Sequence, residues 1–119
     1  MSIYTYGPSG RDEQAFRDSY VECAVWACEQ SELSDKDADT LHTEAYDFLA
    51  DEHAVRLIQA AMFRSPGYDW ASAGHDFYLT REGHGAGFWD RGLGIVGDAL
   101  TYIAKPYGSS DYFPERDES

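Results

Sequence analysis

The spacing of apolar residues over positions 11–63 constrains the fold more than any other feature of this sequence. In RDEQAFRDSYVECAVWACEQ, the apolar residues Phe16, Tyr20 and Cys23 recur every three or four positions. This spacing is typical of an α-helix with one buried face. The N-terminal half therefore begins with a helix that packs one side against a core.

The next stretch, SELSDKDADTLHTEAYDFLADEHAVRLIQAAMF, carries two further apolar faces. Leu41 and Phe48 mark the first face. A second set of apolar residues follows along the chain at the same helical spacing. The pattern predicts two helices, at about 35–49 and 51–63, or one long helix bent near Ala50.

Residues 74–92, GHDFYLTREGHGAGFWDRG, show a different pattern. Polar and apolar side chains alternate from His75 to Arg81, which is typical of a half-buried β-strand. Glu82-Gly83 can form a two-residue turn, because glycine accepts the positive φ that such a turn requires. The glycines that follow leave room opposite larger side chains. This segment therefore predicts a β-hairpin.

The C-terminal part predicts one more helix and a possible third strand. Residues 92–105, GLGIVGDALTYIAK, carry an apolar stripe at helical spacing, with glycines that allow close packing. A short strand can form around 111–113. The predicted fold class is therefore α+β: N-terminal helices, then a small antiparallel β-sheet made of the hairpin and this possible third strand, with a packed C-terminal helix. At 119 residues, the chain fits a single domain, 1–119.

Length and composition also bear on location. The chain contains no run of about 18 apolar residues, and its first residues, MSIYTYGPSG, lack the basic and apolar regions of a signal peptide. Cys23 and Cys28 lie on different sides of the first helix and are expected to be unpaired thiols in a reducing compartment. We therefore expect a cytoplasmic protein that does not enter a membrane and binds neither a metal nor a cofactor.

Charge is the outlying property of the composition. There are 22 acidic and nine basic residues, which gives a formal net charge of −13. Such a chain is repelled by nucleic acids and by anionic membrane surfaces. We therefore expect no direct binding to nucleic acid and predict a partner with a basic surface.

The acidic excess is concentrated between residues 32 and 52, which hold eight acids and one base, Lys36. As helix, this window extends over about 30 Å, along which one DNA strand carries about nine phosphates. The alternative interpretation is a solvated helix face that confers solubility. The residues predicted to bind a partner are Asp35, Asp37, Asp39, Glu44, Asp47, Asp51 and Glu52.

The glycine- and histidine-containing segment also permits a catalytic interpretation. In the predicted hairpin, His75 faces Asp90, and Arg81 and His84 lie near the tip, so a carboxylate could orient a histidine for acid–base chemistry. However, the sequence contains no nucleophile elbow, metalloprotease motif or phosphate-binding loop. We therefore predict no catalytic residue here. The structural alternative is that its charged residues, including Asp76 and Arg91, form local ion pairs.

The string GHDFYLTREGHGAGFWDRG resembles a stretch shared by small uncharacterised proteins of bacteriophages, prophages and plasmids. The resemblance covers the chain from about Trp70 to Gly108, and those relatives commonly have Asn-Gly where this chain has Glu82-Gly83. It implies an origin in a mobile element and a location in the cytoplasm of a bacterial host. Such an origin is consistent with an anti-defence protein, including one of the anti-CRISPR type.

Charge and resemblance together predict a binding protein rather than an enzyme. The leading hypothesis is an acidic inhibitor that occludes the basic surface of a nucleic-acid-binding defence complex, of the CRISPR effector or restriction enzyme type, as a nucleic-acid mimic. One alternative is a small enzyme that uses His75, His84, Asp90 and Arg81. Another is an accessory structural protein of a phage.

Overall fold

The computed structural model describes residues 8–83 and 85–112, and the regular structure in these residues is helical. The predicted α+β class is wrong, because the described residues contain no strand and so no sheet. Short 3₁₀ turns lie at Phe88–Asp90 and Lys105–Tyr107. The five α-helices are α1 (Gly10–Ala27), α2 (Asp35–Leu49), α3 (Glu52–Arg64), α4 (Trp70–Glu82) and α5 (Ile95–Ala104).

The helices predicted in the N-terminal half are confirmed. Of the two possibilities for residues 35–63, two separate helices is the correct one. The break lies at Asp51, which has extended backbone angles and whose Oδ1 accepts a hydrogen bond of 2.9 Å from the backbone N–H of His53. Asp51 is thus the N-cap of α3, and such a cap satisfies a backbone donor that would otherwise have no partner.

The predicted strand at His75–Arg81 is wrong, because these residues lie within α4. Asp69 caps the start of this helix by accepting a hydrogen bond of 2.8 Å from the backbone N–H of Ser72. Gly83 ends it with a left-handed φ of +67°. The positive φ inferred for Gly83 is therefore present, but it terminates a helix and does not turn a hairpin.

The alternation of polar and apolar residues led to a wrong prediction because α4 is the central helix and is buried on most sides. All five residues from Asp76 to Thr80 are buried, although two of them are polar. The Asp76 carboxylate accepts a hydrogen bond of 2.7 Å from the Tyr68 hydroxyl, and Thr80 Oγ1 accepts one of 3.2 Å from the backbone N–H of Phe88. Since buried polar groups are tolerated when they have partners, polarity along this segment does not mark a solvent face.

Aromatic rings from several helices form the centre of the core. Phe48 on α2 stacks on Phe77 of α4, with ring centroids 3.9 Å apart and planes 15° apart. Phe16 of α1 lies on one side of this pair, and the Tyr107 ring meets both rings edge-on. Such stacked and edge-on contacts add to the stability gained from burial of the rings.

The C-terminal end of the chain was predicted less well than the N-terminal helices. The last predicted helix is present as α5, and Gly97 allows it to lie close to the backbone carbonyl of Phe88. The possible third strand is wrong for Asp111 and Tyr112, which are not in a strand, whereas Phe113 lies outside the described residues.

In the described parts of the chain, no helix has the length and apolar character needed to cross a bilayer.

A close crossing of α1 and α4 depends on Gly74. A Cβ atom at this position would overlap the backbone carbonyl oxygen of Phe16. The two helices therefore approach each other at a point where only a hydrogen atom fits.

We predict that Gly74→Ala lowers the free energy of unfolding by about 1–3 kcal/mol, because α1 and α4 must move apart. Urea unfolding followed by circular dichroism measures the change. Gly10→Ala is the matched control, since Gly10 also lies in a helix but has open space around its Cβ position. Equal stabilities for the two variants would contradict the proposed crossing.

Several buried titratable groups are held in their neutral form. Burial raises the pKa of Cys23 from 9.0 to about 12. Burial likewise raises the pKa values of Tyr20, Tyr68 and Tyr78 above the ordinary tyrosine value. Above pH 9 the unfolded chain therefore releases protons that the folded chain retains.

We predict that stability falls as the pH rises from 9 towards 12. Each group that loses its proton only in the unfolded state lowers the free energy of unfolding by about 1.4 kcal/mol per pH unit. Urea unfolding at a series of alkaline pH values measures this slope. Cys23→Ala removes one group and should give a shallower slope; an unchanged slope would show that Cys23 does not contribute.

Candidate functional site

The exposed face of α2 carries acidic side chains that form no ion pair within the described residues, although Lys36 lies on the same helix. Asp35, Asp39 and Asp47 are exposed. Within residues 8–83 and 85–112, none of these three forms an ion pair. Their negative charge is therefore presented to solvent without neutralisation.

Asp111 joins these carboxylates at a shallow groove between α2 and the C-terminal segment. The groove has a volume of about 360 Å³ and is lined by Asp39, Thr40, Thr43, Glu44, Asp47 and Asp111. Sequence reasoning missed Asp111, because it is far from α2 along the chain and its position follows only from tertiary structure. We use the term acidic groove for these six residues.

Glu44 holds the C-terminal segment at this groove. Its Oε2 accepts a hydrogen bond of 2.6 Å from the backbone N–H of Asp111. Its Oε1 accepts hydrogen bonds of 2.6 Å from the Ser110 hydroxyl and of 2.7 Å from the Tyr20 hydroxyl. These bonds fix the position of Asp111 opposite α2.

Arg81 provides the opposite charge for Glu44, at an N–O distance of 3.4 Å. The remaining hydrogen bonds of its guanidinium, of 2.7–3.0 Å, go to the carbonyl oxygens of Tyr107, Gly108 and Ser109 and to the Tyr20 hydroxyl. The Arg81 side chain is only 6% exposed and that of Glu44 only 11%. This pair, called here the Arg81–Glu44 clamp, attaches residues 107–111 to α2 and α4.

The residues predicted to bind a partner differ in how available their side chains are to a partner. Asp35, Asp39 and Asp47 are available to a partner, whereas Glu44 is committed to the clamp. Glu52 is exposed but forms an ion pair of 3.6 Å with Arg56 on its own helix.

Asp37 and Asp51 are each only half-exposed. Asp51 lies near the Tyr107 ring: burial raises the pKa of Tyr107 first, and the charges of Asp51 and Asp47 raise it further. Asp51 therefore lies between the acidic face of α2 and the aromatic ring of Tyr107.

The hairpin that the catalytic alternative assumed is not formed, whereas the alternative itself stays a prediction. His75 does not face Asp90 across a hairpin, because α4 replaces the hairpin. Arg81 belongs to the clamp and is buried. His84 lies outside the described residues, and the part of the chain that is described contains no group of three or more His, Cys, Asp or Glu residues able to hold a metal.

Arg91 forms the predicted local ion pairs with Asp76 and Asp90, whereas Arg81, also predicted to pair locally, pairs with Glu44 on α2. Arg91 Nε donates a hydrogen bond of 2.9 Å to Oδ1 of the buried Asp76 carboxylate, and Arg91 Nη2 lies 2.8 Å from the same oxygen in an ion pair. The bond to Asp76 raises the pKa of Arg91, and Asp90 lies 3.9 Å from its Nε. His75 lines a cavity of about 390 Å³ beside this pair. Asp76 and Arg91 thus neutralise each other.

Comparison with protein-family models, curated proteins and solved structures gave no match to this chain. The resemblance of residues 70–108 to proteins of mobile elements therefore stays a prediction. Function is inferred below from the acidic groove, its surroundings and the charge of the chain.

We predict that Arg81→Met lowers the free energy of unfolding by about 3–5 kcal/mol, because it leaves the Glu44 carboxylate buried without a cation. Arg56→Met is the control, since it breaks an exposed ion pair and should change stability by less than about 1 kcal/mol. Chemical unfolding measures both changes. The double variant Arg81→Met with Glu44→Gln should be more stable than Arg81→Met alone, and equal values for the two would contradict this account of the clamp.

Proposed function

We propose that this chain is an acidic binding protein that docks the α2 face and the acidic groove on a basic, nucleic-acid-binding surface of a host protein or ribonucleoprotein. Binding there excludes the nucleic acid by steric and electrostatic competition. The observation that carries the proposal is the convergence of Asp39, Asp47 and Asp111 on one groove, where none of them forms an ion pair within the described residues.

The charge density of this face supports competition with a nucleic acid. The helix rises about 18 Å from Asp35 to Asp47, a length over which one DNA strand carries about five phosphates. The exposed carboxylates of Asp35, Asp39 and Asp47, together with that of Asp111, supply four negative charges, and the exposed ammonium of Lys36 offsets one of them. The face therefore carries more than half of the net charge that a single strand has over this length.

Three arginines are already paired with acidic residues and so do not offset the charge of this face, where Lys36 is the one lysine or arginine of α2. Arg81 is buried in the clamp, Arg56 pairs with Glu52 on α3, and Arg91 pairs with Asp76. A net charge of −13 adds long-range attraction to any basic partner. Association is therefore expected to be fast and to weaken with added salt.

We predict that Asp39→Lys with Asp47→Lys weakens partner binding at least tenfold, because two attractive charges become repulsive. The control is Glu22→Lys with Glu29→Lys, which makes the same change in net charge at exposed residues outside the groove. The wild-type chain is used to capture partners from a bacterial lysate at low salt, and each captured protein is then tested for nucleic-acid binding with and without the three chains.

The wild-type chain and the control should both inhibit nucleic-acid binding by the captured protein, and raised salt should reduce that inhibition. The Asp39/Asp47 variant should not inhibit. Equal inhibition by all three chains, or capture that is indifferent to salt, would contradict the proposal.

A further inference from the structure

A second groove lies next to the acidic groove and has apolar walls. It is formed by Tyr102 and Ile103 of α5, by Pro106 and Tyr107 of the following 3₁₀ turn, and by Asp51 at the start of α3, and its volume is about 420 Å³. We call it the tyrosine groove.

The outer face of α5 is apolar, and no element of the described residues covers it. Ile95, Ala99, Tyr102 and Pro106 follow one another at intervals of four, three and four residues, so they lie on one side of the helix. Ile95 and Tyr102 are 75% and 79% exposed. Large exposed apolar side chains that cluster in this way are typical of interaction surfaces.

The groove combines aromatic walls with negative charge at one end. Asp51 lines it, and Asp47, which borders the acidic groove, lies close enough to raise the pKa of Tyr107. Only Oδ1 of Asp51 is used as the helix cap. Its other oxygen has no hydrogen-bond partner among the residues that the structure describes, and can accept from a ligand.

The aromatic walls and the carboxylate of the tyrosine groove favour some ligands over others. An anionic group is repelled by Asp51 and Asp47, and a purely aliphatic side chain leaves the Asp51 carboxylate without a new partner. An arginine side chain suits both the aromatic walls and the carboxylate of the groove, because its guanidinium stacks on aromatic faces and donates hydrogen bonds to carboxylates. A lysine ammonium carries the charge but lacks the planar face.

We propose that the tyrosine groove binds an arginine side chain that projects from the basic partner, an inference that rests on the proposed function. Asp51 accepts hydrogen bonds from the guanidinium, and Tyr102 and Tyr107 contact its planar face. Because Asp47 lines the acidic groove and its charge acts on Tyr107 in the wall of the tyrosine groove, the arginine enters near the carboxylates that attract the rest of the basic surface. The groove thus supplies a specific anchor within a largely electrostatic interface.

The test is an NMR titration of the full chain with N-acetyl-arginine amide, N-acetyl-lysine amide and N-acetyl-citrulline amide. Citrulline is the neutral analogue of arginine. We expect saturable shifts of the Tyr102, Tyr107 and Asp51 signals with the arginine probe, and binding at least fivefold weaker with the other two. Equal shifts with all three probes, or shifts confined to the acidic groove, would overturn the proposal.

Two variants with matched controls sharpen the test. Asp51→Asn keeps a good helix cap but removes the charge, and should weaken arginine binding at least fivefold, whereas Asp69→Asn, at the cap of α4, should not. Tyr102→Ala should also weaken binding, whereas Trp26→Ala, at another exposed aromatic residue, should not. Shifts that depend on protein concentration without any probe would show that a second copy covers the groove, which would likewise overturn the proposal.

The outcomes of this titration and of the partner-binding test are distinguishable. If the Asp39/Asp47 variant loses its partner while arginine does not bind the tyrosine groove, only the present inference fails. If arginine binds the groove and its variants behave as expected while charge reversal leaves partner binding unchanged, only the proposed function fails.

Discussion

The buried pair of Arg81 and Glu44 is the interaction on which the surface architecture depends. An isolated charge in this position would be strongly destabilising, so each side chain needs the other. Their remaining polar atoms are used to bind backbone groups of residues 107–111. The C-terminal segment, which contains no α-helix of its own, is thereby given a defined path across α2 and α4.

The clamp also separates structural charge from charge that faces solvent. Glu44 belongs to the acidic stretch of the sequence but is neutralised in the interior. Asp39 and Asp47, on the same helix, are exposed and form no ion pair in the described residues. Asp111 is added to them by the clamp. A count of the acids in the sequence therefore overestimates the charge of this face, because Glu44 is neutralised. The positions of the acids along α2 alone underestimate how close the exposed carboxylates lie to one another, because Asp111 comes from a distant part of the chain.

The sequence was sufficient to predict helices α1, α2, α3 and α5, because each shows a clear apolar face against a polar one. It was insufficient for α4, a central helix whose buried polar residues Asp76 and Thr80 have partners and so imitate the alternation of a strand. Of the candidate site, the exposure of Asp35, Asp39 and Asp47 follows from helical periodicity. The burial of Glu44 and the arrival of Asp111 depend on contacts distant in sequence, which periodicity does not report.

Residues 107–111 have a role in both grooves, since Tyr107 forms a wall of one and Asp111 lines the other. Because the clamp already holds this short segment in place, the two grooves keep a fixed position relative to each other. A partner that engages both therefore meets a pre-organised surface, and little conformational entropy of this segment is left to lose on binding.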